Sequence, residues 1–138
     1  MSTRREHQRA ASPRSCSEAT TPRPDAALAD RLAAAAAEQA RQGAWAAAAD
    51  LLLLASRASE DAEARGARLL QAVDALVGSG EVPRASRYLS ELESLRETPL
   101  RNAVLGYLAV VRGRPAEAES RLARAWELVN PHRDAATA

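Results

Sequence analysis

Three glycines constrain how this chain can fold. Gly43, Gly80 and Gly113 stand 37 and then 33 residues apart, and each is followed five residues later by an alanine: Ala48, Ala85 or Ala118. Four residues on comes Leu52, Leu89 or Leu122, and three beyond that a small or apolar residue, Ala55, Leu92 or Ala125. Self-similarity at this period belongs to arrays of helical hairpins, where each unit buries its apolar face against its neighbours. Such an array presents a surface for recognition and argues against a self-contained active site.

The segments between the glycines carry helical periodicity. Leu28, Leu32, Ala35, Ala36 and Gln39 recur at threes and fours from Asp25 up to Gly43, and Trp45, Ala48, Leu52 and Ala55 line a second helix over about 44–57. Leu51, Leu53 and Leu54 widen the apolar arc of that second helix, so it should be covered on two sides. A third helix, with Leu69, Ala72, Val73 and Leu76 inward, is expected to be capped by Ser59 and stopped at Gly78-Ser79-Gly80. The fourth starts near Glu81 with Pro83 in its first turn and runs through Ala85, Leu89, Leu92 and Leu95. Thr98-Pro99 opens the fifth, with Val104, Leu105, Leu108 and Val111 inward. The sixth runs from Pro115 to Asn130-Pro131 with Ala118, Leu122, Ala125 and Val129 inward. Aligning on the turn glycine places Ala36, Val73 and Gly106 at one position, where small residues let paired helices approach. The expected fold is therefore all-α, with hairpins at about 25–58, 59–97 and 98–130. Residues 132–138 read as the first turn of a further element, which leaves that end of the array open.

Composition narrows the function classes. The 138 residues are enough for one domain with its own core. Alanine accounts for 34 of them, which favours helix, and the single Cys16 allows neither an internal disulfide nor a multi-cysteine metal site. Residues 1–24 carry five arginines against Glu6 and Glu18 and no Leu, Ile, Val or aromatic residue, and so read as a disordered tail. The remainder carries fourteen arginines against sixteen acids, without the charge density of a nucleic-acid-binding domain. No apolar run approaches the roughly 18 residues of a membrane span, and no hydrophobic leader follows Met1. Cytoplasmic location without membrane association is the expectation.

Motifs that suggest chemistry have simpler readings here. Gly78-Ser79-Gly80 continues as Glu-Val-Pro, which matches neither a P-loop nor a dinucleotide fingerprint, and Ser79 lacks the hydrolase elbow. Arg112-Gly113-Arg114-Pro115 resembles a minor-groove peptide, yet its glycine fills the same turn slot as Gly43 and Gly80. His7 and His132 have no ligand or base partner at useful spacing, and Trp45 and Trp126 lie beside apolar stripes as packing residues. No catalytic, cofactor or metal constellation emerges, and a non-enzymatic role is expected.

The Gly, Ala, Leu and Ala positions, with Pro131 after the third copy, resemble degenerate tetratricopeptide repeats. More narrowly, 43–59, then GARLLQAVDAL, then LRNAVLGYLAVVRGRPAEAESRLARAWELVNPHRDAATA are similar to the helical-repeat region of the large ATP-binding LuxR-family transcriptional regulators of actinobacteria. The resemblance covers about 26–138. It implies a short right-handed superhelix that acts as a sensor arm for a protein partner or small effector, without a cofactor of its own. The family's ATPase and helix-turn-helix modules have no counterpart here, so DNA contact would need modules absent from this chain. A stand-alone tetratricopeptide-like adaptor is the other reading. A helical enzyme, or DNA binding through the Arg-rich tail, is less supported.

On the concave face of the first helices, the repeat alignment puts Asp30, Arg41, Asp74 and Tyr107 forward as binding residues. Self-association through the exposed terminal hairpin is a further expectation. If the tail does not bind DNA, a low-salt mobility-shift assay will show no retardation by the full chain; salt-sensitive binding lost on deleting residues 1–24 would contradict this.

Overall fold

One turn geometry occurs three times along the chain. The computed structural model describes residues 24–129, so the expectations for the tail at 1–23 and for the segment from Asn130 onward lie outside the described residues. Every regular element among them is a helix: α1 (Ala26–Arg41), α2 (Trp45–Ala58), α3 (Ala62–Gly78), α4 (Val82–Ser86), α5 (Leu89–Ser94), α6 (Pro99–Val111) and α7 (Pro115–Val129).

At the end of α1 the Gly43 N–H donates to the Ala40 carbonyl and the Ala44 N–H to Gln39, both at 2.9 Å. Gly80 and Glu81 repeat this pair on Val77 and Leu76, and Gly113 and Arg114 repeat it on Val110 and Ala109. This double closure is the Schellman stop, which satisfies the last carbonyls of a helix by turning the chain through a left-handed residue. The three glycines have φ of +78°, +81° and +72°. A side chain at such an angle costs about 1–2 kcal/mol, which is why glycine recurs there.

Each turn folds a helix back on its predecessor. α1 pairs with α2, α3 with the α4–α5 segment and α6 with α7; α2 also packs on α3, and α3 on α6. Val73, Leu76, Leu92, Leu105 and Leu108 are fully buried at the centre. Ala48, Ala85 and Ala118 are buried at the crossings expected of them. Gly106 shows why a small residue is needed opposite: a Cβ there would lie 2.8 Å from Leu122 Cγ and 3.3 Å from Arg121 Cβ.

The structure corrects several local expectations. The fourth helix is broken, with Arg87 and Tyr88 N–H groups reaching back three residues to Arg84 and Ala85 before Leu92 N–H resumes the four-residue step to Tyr88. No proline or glycine sits at the break, and its origin is tertiary. The tightened turn lets Ala85 and Leu92 both reach the core and seats Leu95 against Gly66, where a Cβ would meet Leu95 Cδ2 at 2.8 Å. Ser59 ends α2 instead of capping α3, its hydroxyl donating to the Ala55 carbonyl at 2.7 Å; Asp61 caps α3 by accepting from Ala64 N–H at 3.0 Å. Leu54 is exposed, because two residues of helix turn it to the face of α2 opposite the buried Leu52, while Leu53 is buried. Leu28, Ala35, Val111 and Val129 are exposed too, since they sit at the outer flanks of the stack, and Leu122 keeps one side in solvent while the other rests on Gly106. Trp45 is half-exposed, although its ring lies over Gly78.

Gly106→Ala will destabilise the fold even though alanine is the better helix former by about 1 kcal/mol, because the added methyl meets Leu122. Chemical denaturation of the single variants and of Gly106→Ala with Leu122→Ala will show most of that loss removed in the double variant; additive losses would contradict the contact.

Candidate functional site

A recess lies between the outer face of α3 and the start of α6. A cleft of about 530 Å³ lies between the first half of α3 and the α5–α6 connection, with Ala67, Leu70, Leu95 and Leu100 among its walls and Glu63, Gln71 and Arg96 at its polar edge. Glu63 and Arg96 face each other at 3.7 Å, both exposed. On the other side of Leu95 a second cleft of about 360 Å³ opens toward α2, where Arg57, Arg65, Tyr88 and Glu91 line it. Leu95 and Gly66 belong to both, so the seat of one leucine on one glycine shapes two recesses.

Helix geometry relates the larger cleft to the residues put forward from the sequence. Seven residues make just under two turns of α-helix, so Asp74 lies on the same face of α3 as Ala67, and Tyr107 on the same face of α6 as Leu100. Asp30, Ala67 and Leu100 occupy one repeat position, and Asp74 and Tyr107 another. Asp74 and Tyr107 are exposed and have no hydrogen-bond or ion-pair partner among the described residues. Partial burial on the α3 surface pushes the Asp74 carboxyl above its ordinary range, since no cation stands by to offset lost hydration.

The other two candidates are engaged within the fold. Asp30 accepts from Arg68 Nη2 at 2.5 Å, and the same guanidinium donates to Ser59 Oγ at 2.7 Å, so one arginine ties α1 and the end of α2 to α3. Arg41 pairs with Glu38 one turn earlier on α1, at the exposed end of that helix. The structure thus places two candidates along the α3–α6 face and ties the other two into contacts of α1.

A polar network anchored on one buried side chain escaped the sequence reading. Asn102 is fully buried on α6, and its Nδ2 donates to Glu97 Oε1 at 3.0 Å. Arg124 of α7 donates to the two oxygens of Glu97 at 3.1 and 3.3 Å. The Arg124 hydrogen bond, then that of Asn102, holds the Glu97 carboxyl below its ordinary range. An Asn at the head of the apolar run that continues through Val104, Leu105 and Leu108 was the available signal, since such a residue needs a partner when buried. Nearby, Arg101 donates from Nε to the Leu92 carbonyl at 2.9 Å and from Nη2 to Glu93 at 2.7 Å, closing the end of α5.

No group of three or more metal-ligating side chains occurs among the described residues, and no described helix is long and apolar enough to cross a membrane. In comparisons with protein-family models, curated proteins and solved structures, nothing matches the chain.

The two shifted carboxylates give opposite pH signatures. Glu97, with its lowered value, stabilises the fold above the usual carboxylate range and loses that contribution as acid protonates it; Glu97→Gln will therefore lower the melting temperature at pH 7 but hardly at pH 3. Asp74, with its raised value, is unfavourable once ionised, so Asp74→Asn will raise the melting temperature at pH 7 and lose that advantage as the pH falls through the carboxylate range. Thermal melts of the three proteins across pH 3–7 check both signs.

Proposed function

We propose that this chain is a non-catalytic helical-repeat module that recognises a protein segment or small effector along the outer face of α3 and α6. The observation that supports the reading most directly is the 530 Å³ apolar cleft, with the partnerless Asp74 and Tyr107 two turns further along its two helices. Apolar walls supply burial for a ligand's side chains, and a few polar groups at the edge orient it, the usual composition of a recognition groove. An ionised Asp74 in a partly buried setting favours a ligand that brings a cationic group to it. In this reading the hairpins form part of a short right-handed superhelix in the cytoplasm, and Asp30 and Arg41 orient α1 beside the groove.

The narrower proposal is that the module serves as the sensor arm, or a fragment, of a LuxR-type regulator, supported by the residue resemblance over 26–138. The presence of ATPase or helix-turn-helix coding sequence in frame beside this one would separate that role from a stand-alone adaptor.

Selection of a random peptide library on the immobilised full chain tests the groove. Enriched peptides should carry apolar side chains with a Lys or Arg nearby, and Ala67→Arg and Asp74→Asn should each weaken their binding at least about tenfold, a difference of 1.4 kcal/mol. Peptides indifferent to both substitutions, with the folds intact by circular dichroism, would overturn the reading.

A further inference from the structure

The three hairpins act as internal standards for one another, and they show that the outer flank of α7 has the layout of an inter-hairpin contact. Shifting by the separation of Gly43 and Gly113, Leu122, Trp126 and Val129 of α7 correspond to Leu52, Ser56 and Ser59 of α2. In α2 all three are covered, at 9%, 6% and 1% exposure, and α3 meets the two serines. Ser56 Oγ donates to the Arg65 carbonyl at 2.8 Å, Arg65 Nη2 donates to the Ser59 carbonyl at 3.0 Å and Arg68 Nη1 donates to Ser59 Oγ. Leu122 and Val129, by contrast, are 43% and 61% exposed. Of the two positions that α3 meets in α2, the one corresponding to Ser59 is, in α7, Val129, apolar and open to solvent; Leu122 flanks it, with one side on Gly106 of its own hairpin and the other exposed.

The matching surface lies at the opposite end of the same chain. Shifting by the separation of Gly43 and Gly80, Arg65, Arg68 and Ala72 of α3, the positions turned toward α2, correspond to Leu28, Arg31 and Ala35 of α1. Leu28 is 38% exposed, and Arg31 and Ala35 are exposed as well. The chemistry changes on both sides together. Inside the array Ser59 meets Arg65 and Arg68, whereas at the two ends Val129 stands where Ser59 stood and Leu28 where Arg65 stood; Arg31 keeps the arginine of position 68, a side chain whose stem can lie along an apolar contact with its charged head in water.

We infer that α7 takes α1 of a second copy as its next first helix, so that the chain associates head to tail with itself. The contact continues the hairpin-on-hairpin packing already present between α2 and α3, and it buries exposed leucine and valine against leucine and alanine, which removes apolar surface from water at both ends. Because two different surfaces meet, the contact is heterologous, and it propagates unless the rotation closes a ring. The inference stands apart from the α3–α6 groove, since none of the residues it uses lies in that cleft.

Sedimentation of the full chain tests it. Between about 5 μM and 0.5 mM, where even a Kd of about 1 mM leaves a measurable associated fraction, the mean mass should rise with concentration. Leu28→Glu blocks the α1 face and Leu122→Glu the α7 face. Each variant alone should remain at or near the monomer, and an equimolar mixture should form a 1:1 dimer, because each retains the surface the other lacks. A wild type that stays monomeric overturns the inference. Loss of association by Leu122→Glu with Leu28→Glu unaffected also overturns it, since that pattern means α7 meets α7. Circular dichroism and thermal melts establish that each variant is folded; Val129→Glu, remote from Gly106, replaces Leu122→Glu if the latter unfolds.

Discussion

The close approach of paired helices across small residues is the interaction on which the rest of this structure depends. Ala48 and Ala85 are inaccessible to solvent, Ala118 nearly so, and Gly106 accepts Leu122 at a distance that leaves no room for a methyl group. With helices this close, dispersion contacts and apolar burial act over the whole length of each hairpin instead of through a few large side chains. The absence of phenylalanine and the abundance of alanine fit this design. The left-handed glycines serve it by reversing the chain within a few residues, so that the second helix returns in register with the first.

Leu95 connects this packing to the surface proposed for recognition. It rests on Gly66 of α3, and its two sides form walls of two different clefts. The break between α4 and α5 is what brings it there. A continuous helix from Glu81 would carry Leu95 along another direction, and the apolar recess between α3 and α6 would have a different shape. Packing between hairpins thus determines the groove, and the groove in turn leaves Asp74 and Tyr107 aligned on the faces that flank it.

Much of the fold was legible in the sequence for a local reason. Schellman turns need glycine, helix starts favour Thr98-Pro99, and the small crossing residues repeat at fixed offsets, so turns and pairings could be read from residue type alone. What could not be read depended on neighbours. Ser59 and Asp61 are both good caps, and only the exit path of α2 assigns the role to Asp61. The break at Arg87 and Tyr88 has no local breaker, and the Glu97, Asn102 and Arg124 network joins residues 27 apart in sequence. Periodicity gave Val129 and Val111 inward orientations because it reports which face is apolar, not whether anything covers it. Of the candidate site, the shared face of Asp74 and Tyr107 followed from the repeat alignment, whereas the ion pairs of Asp30 and Arg41 depended on where Arg68 and Glu38 lay in space.

The central claim is that hairpins stabilise one another as nearest neighbours, so among the described residues the middle of the stack is held from two sides and the outer helices from one. Native-state hydrogen exchange followed residue by residue tests this most directly. The account predicts the slowest exchange in α3, around Val73 and Leu76, where α2 and α6 both pack, with protection falling outward through α2 and α6 to α1 and α7. Uniform protection across all seven helices, or maximal protection in α7, would contradict it.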